Sequence, residues 1–153
     1  MASWREIEQE APAFAARVKA LFEAGTNKTI ATLRRDGSPR ISATEAQFEG
    51  DEIAFGMMSG SMTLLDVRRA PRMAMHCPTL EPPADHPEAG PGDAKLAGVA
   101  VETPPPPETP FPDAGFFRID IREVVLTYLG TPADHLVIES WHAGRGHQRR
   151  TRA

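Results

Sequence analysis

The sequence predicts a mainly β protein of about seven antiparallel strands, closed as a barrel or packed as a sandwich, with helices at its periphery. Two observations carry this. Between Thr29 and Met58, strand-like runs are separated only by Asp36-Gly37-Ser38-Pro39 and Glu49-Gly50-Asp51, and such short connections permit antiparallel pairing alone. From Gly115 to Leu129, Phe117, Ile119 and Ile121 share one face while Arg118, Asp120 and Arg122 share the other, the alternation of a strand with one buried side.

The first elements are helical and span 3–25. Ser3 with Glu6 has the form of a capping box, which satisfies amides that a first helical turn leaves unpaired. Pro12 ends this helix and suits the first position of another. Phe14, Val18, Leu21 and Phe22 then recur at helical spacing, and Gly25 stands where a left-handed cap belongs. One face of this second helix should pack on the barrel.

The barrel is expected over 29–142, opening with strands at 29–35, 40–48 and 52–58. Gly60 and Ser61 break the third strand, and Thr63 to Arg69 can form a short helix that stops at Pro71. Arg72 to His76 and Ala94 to Glu102 read as strands, with a long loop over 78–92 between them. The prolines from Pro104 to Pro112 favour an extended spacer. After the strand at 115–129, Asp134 to Trp141 closes the set, and 143–153 reads as a basic tail of one domain covering 1–153.

The bulk properties narrow the function. A net charge of −4 and a pI near 5.7 offer no general attraction to nucleic acid or to an anionic membrane face. No run approaches the roughly 18 apolar residues of a membrane span. The lone Cys77 excludes an internal disulfide framework, the amino-terminus has no signal-peptide pattern, and the expected location is cytoplasmic. P-loop, dinucleotide and His-Glu-x-x-His signatures are absent. Gly56-Met57-Met58-Ser59-Gly60 puts its serine one place late for a nucleophile elbow, and the adjacent His76 and Cys77 point to opposite faces of a strand.

Two segments carry candidate chemistry. Met58-Ser59-Gly60-Ser61-Met62-Thr63 joins a strand to a helix start, where free amides and the helix dipole favour an anion; the alternative is that Ser61 or Thr63 caps the helix, with Asp66 completing a box. The run from Trp141 to Arg150 offers an aromatic face and planar guanidinium forks for phosphate or carboxylate, or else a solvated tail.

The runs Thr29-Ile-Ala-Thr-Leu-Arg-Arg-Asp-Gly-Ser-Pro-Arg-Ile-Ser, Gly50-Asp-Glu-Ile-Ala-Phe and Ser61-Met-Thr-Leu-Leu-Asp-Val-Arg-Arg-Ala-Pro-Arg-Met-Ala together resemble the pyridoxamine 5′-phosphate oxidase-like, FMN-binding split-barrel superfamily. The branch of flavin- and deazaflavin-dependent oxidoreductases is the most similar. The resemblance implies an antiparallel split barrel, a homodimer with cofactor at the interface, and hydride transfer to a small-molecule substrate. FMN is the implied cofactor, with the deazaflavin coenzyme F-420 as the alternative. It places Ser42, Ala43 and Thr44 beside the isoalloxazine ring and Ser59, Ser61, Met62 and Thr63 around the phosphate, with Met57 also among the cofactor-binding residues. Trp141, Arg145 and Arg149 would reach the cofactor and His147 the substrate, across the dimer.

Departures from the pattern bear on that carry-over. The oxidases place Arg-Lys after the serine that Ser61 matches, where this chain has Met62-Thr63, and Ser42 and Gln47 replace basic residues. Pyridoxamine phosphate oxidation is therefore not expected. The other reading is a non-catalytic barrel that binds flavin or heme, for which His76, His135, His142 and His147 are candidate ligands.

Overall fold

The computed structural model describes residues 2–153. The chain runs α1 (Trp4–Glu10), α2 (Pro12–Phe22), β1 (Asn27–Leu33), β2 (Pro39–Glu49), β3 (Glu52–Met57), α3 (Met62–Arg69), β4 (Arg72–His76), β5 (Asp93–Thr103), β6 (Gly115–Leu129), β7 (Leu136–His142) and β8 (Gly146–Arg152). The strands form one antiparallel sheet in the order β3-β2-β1-β4-β5-β6-β7-β8, and a further pairing of β3 with β6 closes six of them into a barrel. This is a split barrel with peripheral helices, as expected. The strands number eight rather than about seven.

The extra strand is a correction. The segment 143–153, expected as a basic tail, turns at Ala143–Arg145 and returns as β8, with Trp141 opposite His147 and Glu139 opposite Arg149. Its alternation was hidden because nearly every β8 residue is exposed and polar, leaving no buried face to mark the period. A second correction concerns α2. Its C-cap is Glu23, and Gly25 does not adopt a positive φ; instead it lies flat against Pro78.

β6 organises the closure. Residues 115–118 pair with β3, and residues 123–129 pair with β7 on the same edge. Ala2 fills the interval: its carbonyl accepts from Ile121 N at 3.0 Å and its amide donates to Asp120 Oδ1 at 2.8 Å. On the opposite edge β5 pairs along the full length, with a register shift at Ala97/Gly98. A Cβ at Gly98 would meet the Asp120 carbonyl at 2.2 Å, so only glycine permits this approach.

Inside the barrel, Ile30, Ile53, Phe55, Leu96, Ile119, Ile121 and Leu126 form the core, and Trp4, Ile7, Val18 and Phe22 of the helices cover one end of it. Asp66 is the principal buried charge. Its carboxylate accepts from Thr32 Oγ1 at 2.9 Å, Arg40 Nε at 2.7 Å and Arg69 at 3.2 Å, tying α3 to β1 and β2. Burial pushes the Asp66 carboxyl up, but these hydrogen bonds outweigh it and hold the group below the usual carboxylate value. Asp120 behaves alike, with the Ala2 amide and Arg122 overcoming burial.

Groups depressed in the folded state stabilise it above their unfolded pKa and lose that contribution as pH falls through the folded value. Unfolding free energy should thus drop as pH is lowered past the ordinary carboxylate value of 3.8. Asp66→Asn should flatten part of that drop in urea titrations across pH. At neutral pH it should cost about 3 kcal/mol, because Arg40 is left partly buried without its carboxylate.

Candidate cofactor groove

The groove lies where β2, β3 and the start of α3 meet the loop over 104–114. Alternation on β2 turns Ala43 and Glu45 to the outer face of the barrel, while Ser42 and Thr44 face α3 and β3. A space of about 510 Å³ is lined by Asn27, Ala43, Thr44, Glu45, Gly56, Met57, Met58, Ser61, Thr63, Thr109, Phe111, Ala114 and Phe116. Ala43, Gly56 and Ala114 are its smallest lining residues. A Cβ on Gly56 would already lie 3.6 Å from the Phe116 ring, and Phe111 stands 53% exposed in the opposite wall.

One end of the groove is the N-terminus of α3. Ser61 is the N-cap, its Oγ accepting from Leu64 N at 3.1 Å, so the Thr63–Asp66 box does not form. The first amides of the helix, at Met62 and Thr63, have no partner within it. Thr63 Oγ1 lies 2.9 Å from Ser42 Oγ, which joins the helix start to β2. Among the described residues, no lysine or arginine lines the groove, and Glu45 is its one charged residue. The neighbouring Arg40 and Arg69 are held by Asp66.

Of the residues carried over from the resemblance, Ala43, Thr44, Met57, Ser61 and Thr63 come together here, with Ser42 bonded to Thr63. Ser59 and Met62 sit in the exposed turn and first helical residue beside the groove without lining it. The C-terminal set lies elsewhere in the subunit. Trp141 is 1% exposed and its Nε1 donates to Glu10 Oε2 at 2.7 Å, so it is a core residue and presents no face to a ligand.

His147 Nε2 lies 2.9 Å from Glu139 Oε1, and its ring packs on Phe14. Arg145 and Arg149 line a separate depression with Arg150, Gln148, Ser140 and His142. β1, β4, β5, β6 and β7 separate that hairpin strand from β2 in the sheet order. Sequence reasoning missed Glu45, Gly56, Phe111 and Phe116. The first follows from the alternation that picks out Ala43, whereas the loop position of Phe111 carries no periodic signal.

No protein-family model and no curated protein matches the chain. Solved structures do. An FMN-binding protein related to pyridoxamine 5′-phosphate oxidase from Nostoc punctiforme PCC 73102 superposes with a TM-score of 0.66, covering 100% of this chain and 98% of that one at 11% identity. The chain has the fold of the pyridoxamine 5′-phosphate oxidase-like split barrels. An F-420 reductase shares it with a TM-score of 0.53 and 18% identity over 69% of this chain and 94% of that chain. So does a heme-binding protein from Mycobacterium smegmatis, with a TM-score of 0.52 and 13% identity over 89% and 87%.

The residues of this split barrel suit the flat ring of a flavin better than its phosphate. The small residues Ala43 and Gly56 together with the rings of Phe116 and Phe111 are a lining compatible with a planar aromatic system. For an anion, the groove offers helix amides and hydroxyls but no cation. No histidine lines it, which leaves a heme iron without an imidazole there. Among the described residues, no cluster of His, Cys, Asp and Glu is arranged to hold a metal ion, and no helix is long and apolar enough to cross a membrane.

Ser61→Ala should remove the cap of α3 and cost about 1 kcal/mol in chemical denaturation. Ser61→Asp, which keeps a capping oxygen, should recover most of that loss. Equal stability of all three proteins would show that the cap does not hold this helix start.

Proposed function

We propose that the protein is an oxidoreductase that binds FMN or the deazaflavin coenzyme F-420 in this groove and transfers hydride to or from a small molecule, as a homodimer with cofactor between subunits. One observation carries the reading: the fold brings Ala43, Thr44, Met57, Ser61 and Thr63, taken from separate parts of the sequence, to one groove that Phe111 and Phe116 also line at a helix N-terminus. The solved relatives named above, one FMN-binding and one an F-420 reductase, support a flavin-type ligand.

The bound ring would supply the hydride chemistry; the protein binds, orients and excludes water. Ala43 and Gly56 would leave room for the ring, Phe116 and Phe111 would flank it, and Ser61 and Thr63 at the start of α3 would hold the anionic side chain of the cofactor. Glu45, which lines the groove, disfavours a second anion and therefore a phosphorylated substrate. Thr109, Phe111 and Ala114 of the 104–114 loop form the wall that the substrate would meet.

The decisive measurement is an absorbance and fluorescence titration of the purified protein with FMN and with F-420. Micromolar binding of one of them is expected, and no binding of either would overturn the reading. Gly56→Val should weaken that binding tenfold or more, about 1.4 kcal/mol, by filling the floor of the groove. Because Gly56 has no positive φ and space for a Cβ, the variant should unfold at nearly the same denaturant concentration.

A further inference from the structure

A second cavity, of about 400 Å³, adjoins the groove and shares Glu45, Gly56 and Phe116 with it. It runs toward the β2–β3 turn, where Gln47, Glu49 and Ala54 line it. The strand register explains its shape. Gly56 pairs with Phe116 and Phe116 with Thr103; because Ala46 faces Phe55, Glu45 comes level with Gly56 on the other side. Gly56 has no side chain, so the Glu45 carboxylate and the Phe116 ring border one gap. Strands lie about 4.8 Å apart, which sets the β2 and β6 backbones roughly 10 Å from each other across β3.

The gap is electronegative on both sides. A carboxylate is ionised at neutral pH, and the face of an aromatic ring carries the negative part of its quadrupole. Among the described residues, no lysine or arginine lines either cavity and Glu45 makes no ion pair. Two cations on adjoining positions are engaged elsewhere. Lys28, which Glu45 attracts through space, donates to the Gly25 and Thr26 carbonyls at 2.8 and 3.0 Å, and Arg118, opposite Ala54, lies 3.8 Å from Glu52. Farther along, Gln47 donates to Glu49, a second carboxylate in the lining. Pro104 and Pro106 add apolar surface. A charge attracted to both Glu45 and Phe116, carried on alkyl groups that the prolines can cover, describes an organic ammonium ion.

We propose that this second cavity is the substrate side of the site and holds an organic ammonium ion between the Glu45 carboxylate and the Phe116 ring. A cation within about 6 Å of a ring centroid gains the attraction of the ring face, and the span across β3 lets one ammonium group meet both residues. The part of the molecule that reacts would lie toward Gly56, the boundary with the groove. Glu45 and Phe116 thus set specificity through charge and take no part in the hydride transfer. That the bound cation is a substrate rests on the flavin reading above; that the cavity binds it does not.

Amide chemical shifts of the isotope-labelled full chain test the binding without any cofactor. The probes are choline and its neutral isostere, in which a tert-butyl group replaces the trimethylammonium group. Choline should bind in the millimolar range or tighter and move the amides of Gln47, Gly56 and Phe116, and the isostere should bind on the order of tenfold more weakly. Glu45→Gln and Phe116→Leu, neither in the core, should each weaken choline about fivefold or more, while Glu123→Gln, which lines neither cavity, should leave it unchanged. The dispersion of each spectrum reports that the variant is folded. Equal binding of choline and isostere, shifts that cluster elsewhere, or choline binding indifferent to both variants would each overturn the proposal. FMN and F-420 titrations of the same proteins separate the two readings. Choline binding with neither cofactor bound would defeat the flavin and uphold the cation site; cofactor binding without choline binding would defeat the cation site alone. Where both bind they should bind together, and mutual exclusion would overturn the substrate role.

Discussion

The architecture depends on one strand having two partners on the same edge. β6 gives its first residues to β3 and its last to β7, while β5 covers its other edge throughout. A strand cannot pair twice at one position, so the sheet must part where β3 stops and β7 begins. The backbone of Ala2 satisfies the amide at Ile121, and the close approach at Gly98 accommodates the register shift opposite. From that parting, β3 closes the barrel while β7 and β8 leave it. In the sheet order β2, which borders the groove, is separated from β8 of the arginine-bearing hairpin by β1, β4, β5, β6 and β7, and across the barrel closure by β3, β6 and β7.

That separation explains an electrostatic oddity. A cofactor phosphate carries close to two negative charges, and a helix N-terminus contributes at most about 2 kcal/mol toward holding one. Arg40 and Arg69 lie near α3, yet both are consumed by Asp66, whose burial leaves it no other way to remain ionised. The chain spends its local cations on fixing the helix rather than on the ligand. A subunit of net charge −4 with Glu45 in the groove is therefore poorly equipped to retain a phosphate by itself.

Much of the fold was legible because it repeats. The β6 boundaries, Gly115 and Leu129, and the alternation of Phe117, Ile119 and Ile121 follow from a period of two against a buried side. Ser3 and Pro12 mark the helix starts through local hydrogen-bond chemistry. The site was legible only in part. Ser61 and Thr63 are tied to a helix start that the sequence announces, and Ala43 to a strand. Phe111 reaches the groove from a proline-rich loop whose path is set by tertiary contacts. Trp141 resembled a ligand-facing aromatic, but its indole N–H donates to Glu10, 131 residues away in sequence, a partner that no local pattern reveals.

β8 presents the sharper problem, since a strand of exposed polar residues has little hydrophobic reason to exist. Its order comes from the inner side of the hairpin. Glu139 is only 14% exposed at its side chain and accepts from Tyr128 Oη at 2.7 Å while facing His147 at 2.9 Å; Arg17 of α2 lies over the Tyr128 ring at 3.6 Å. Burial, then the hydrogen bond to Glu139, pushes the Tyr128 phenol up, keeping it a donor. This network clamps β8 to β7 and α2 at alternate residues and leaves Gln148, Arg150 and Arg152 pointing outward. An arginine on a frayed tail would lose rotamer and backbone freedom on meeting an anion. Held on a paired strand, the same group has already lost most of it, so more of its attraction remains for binding.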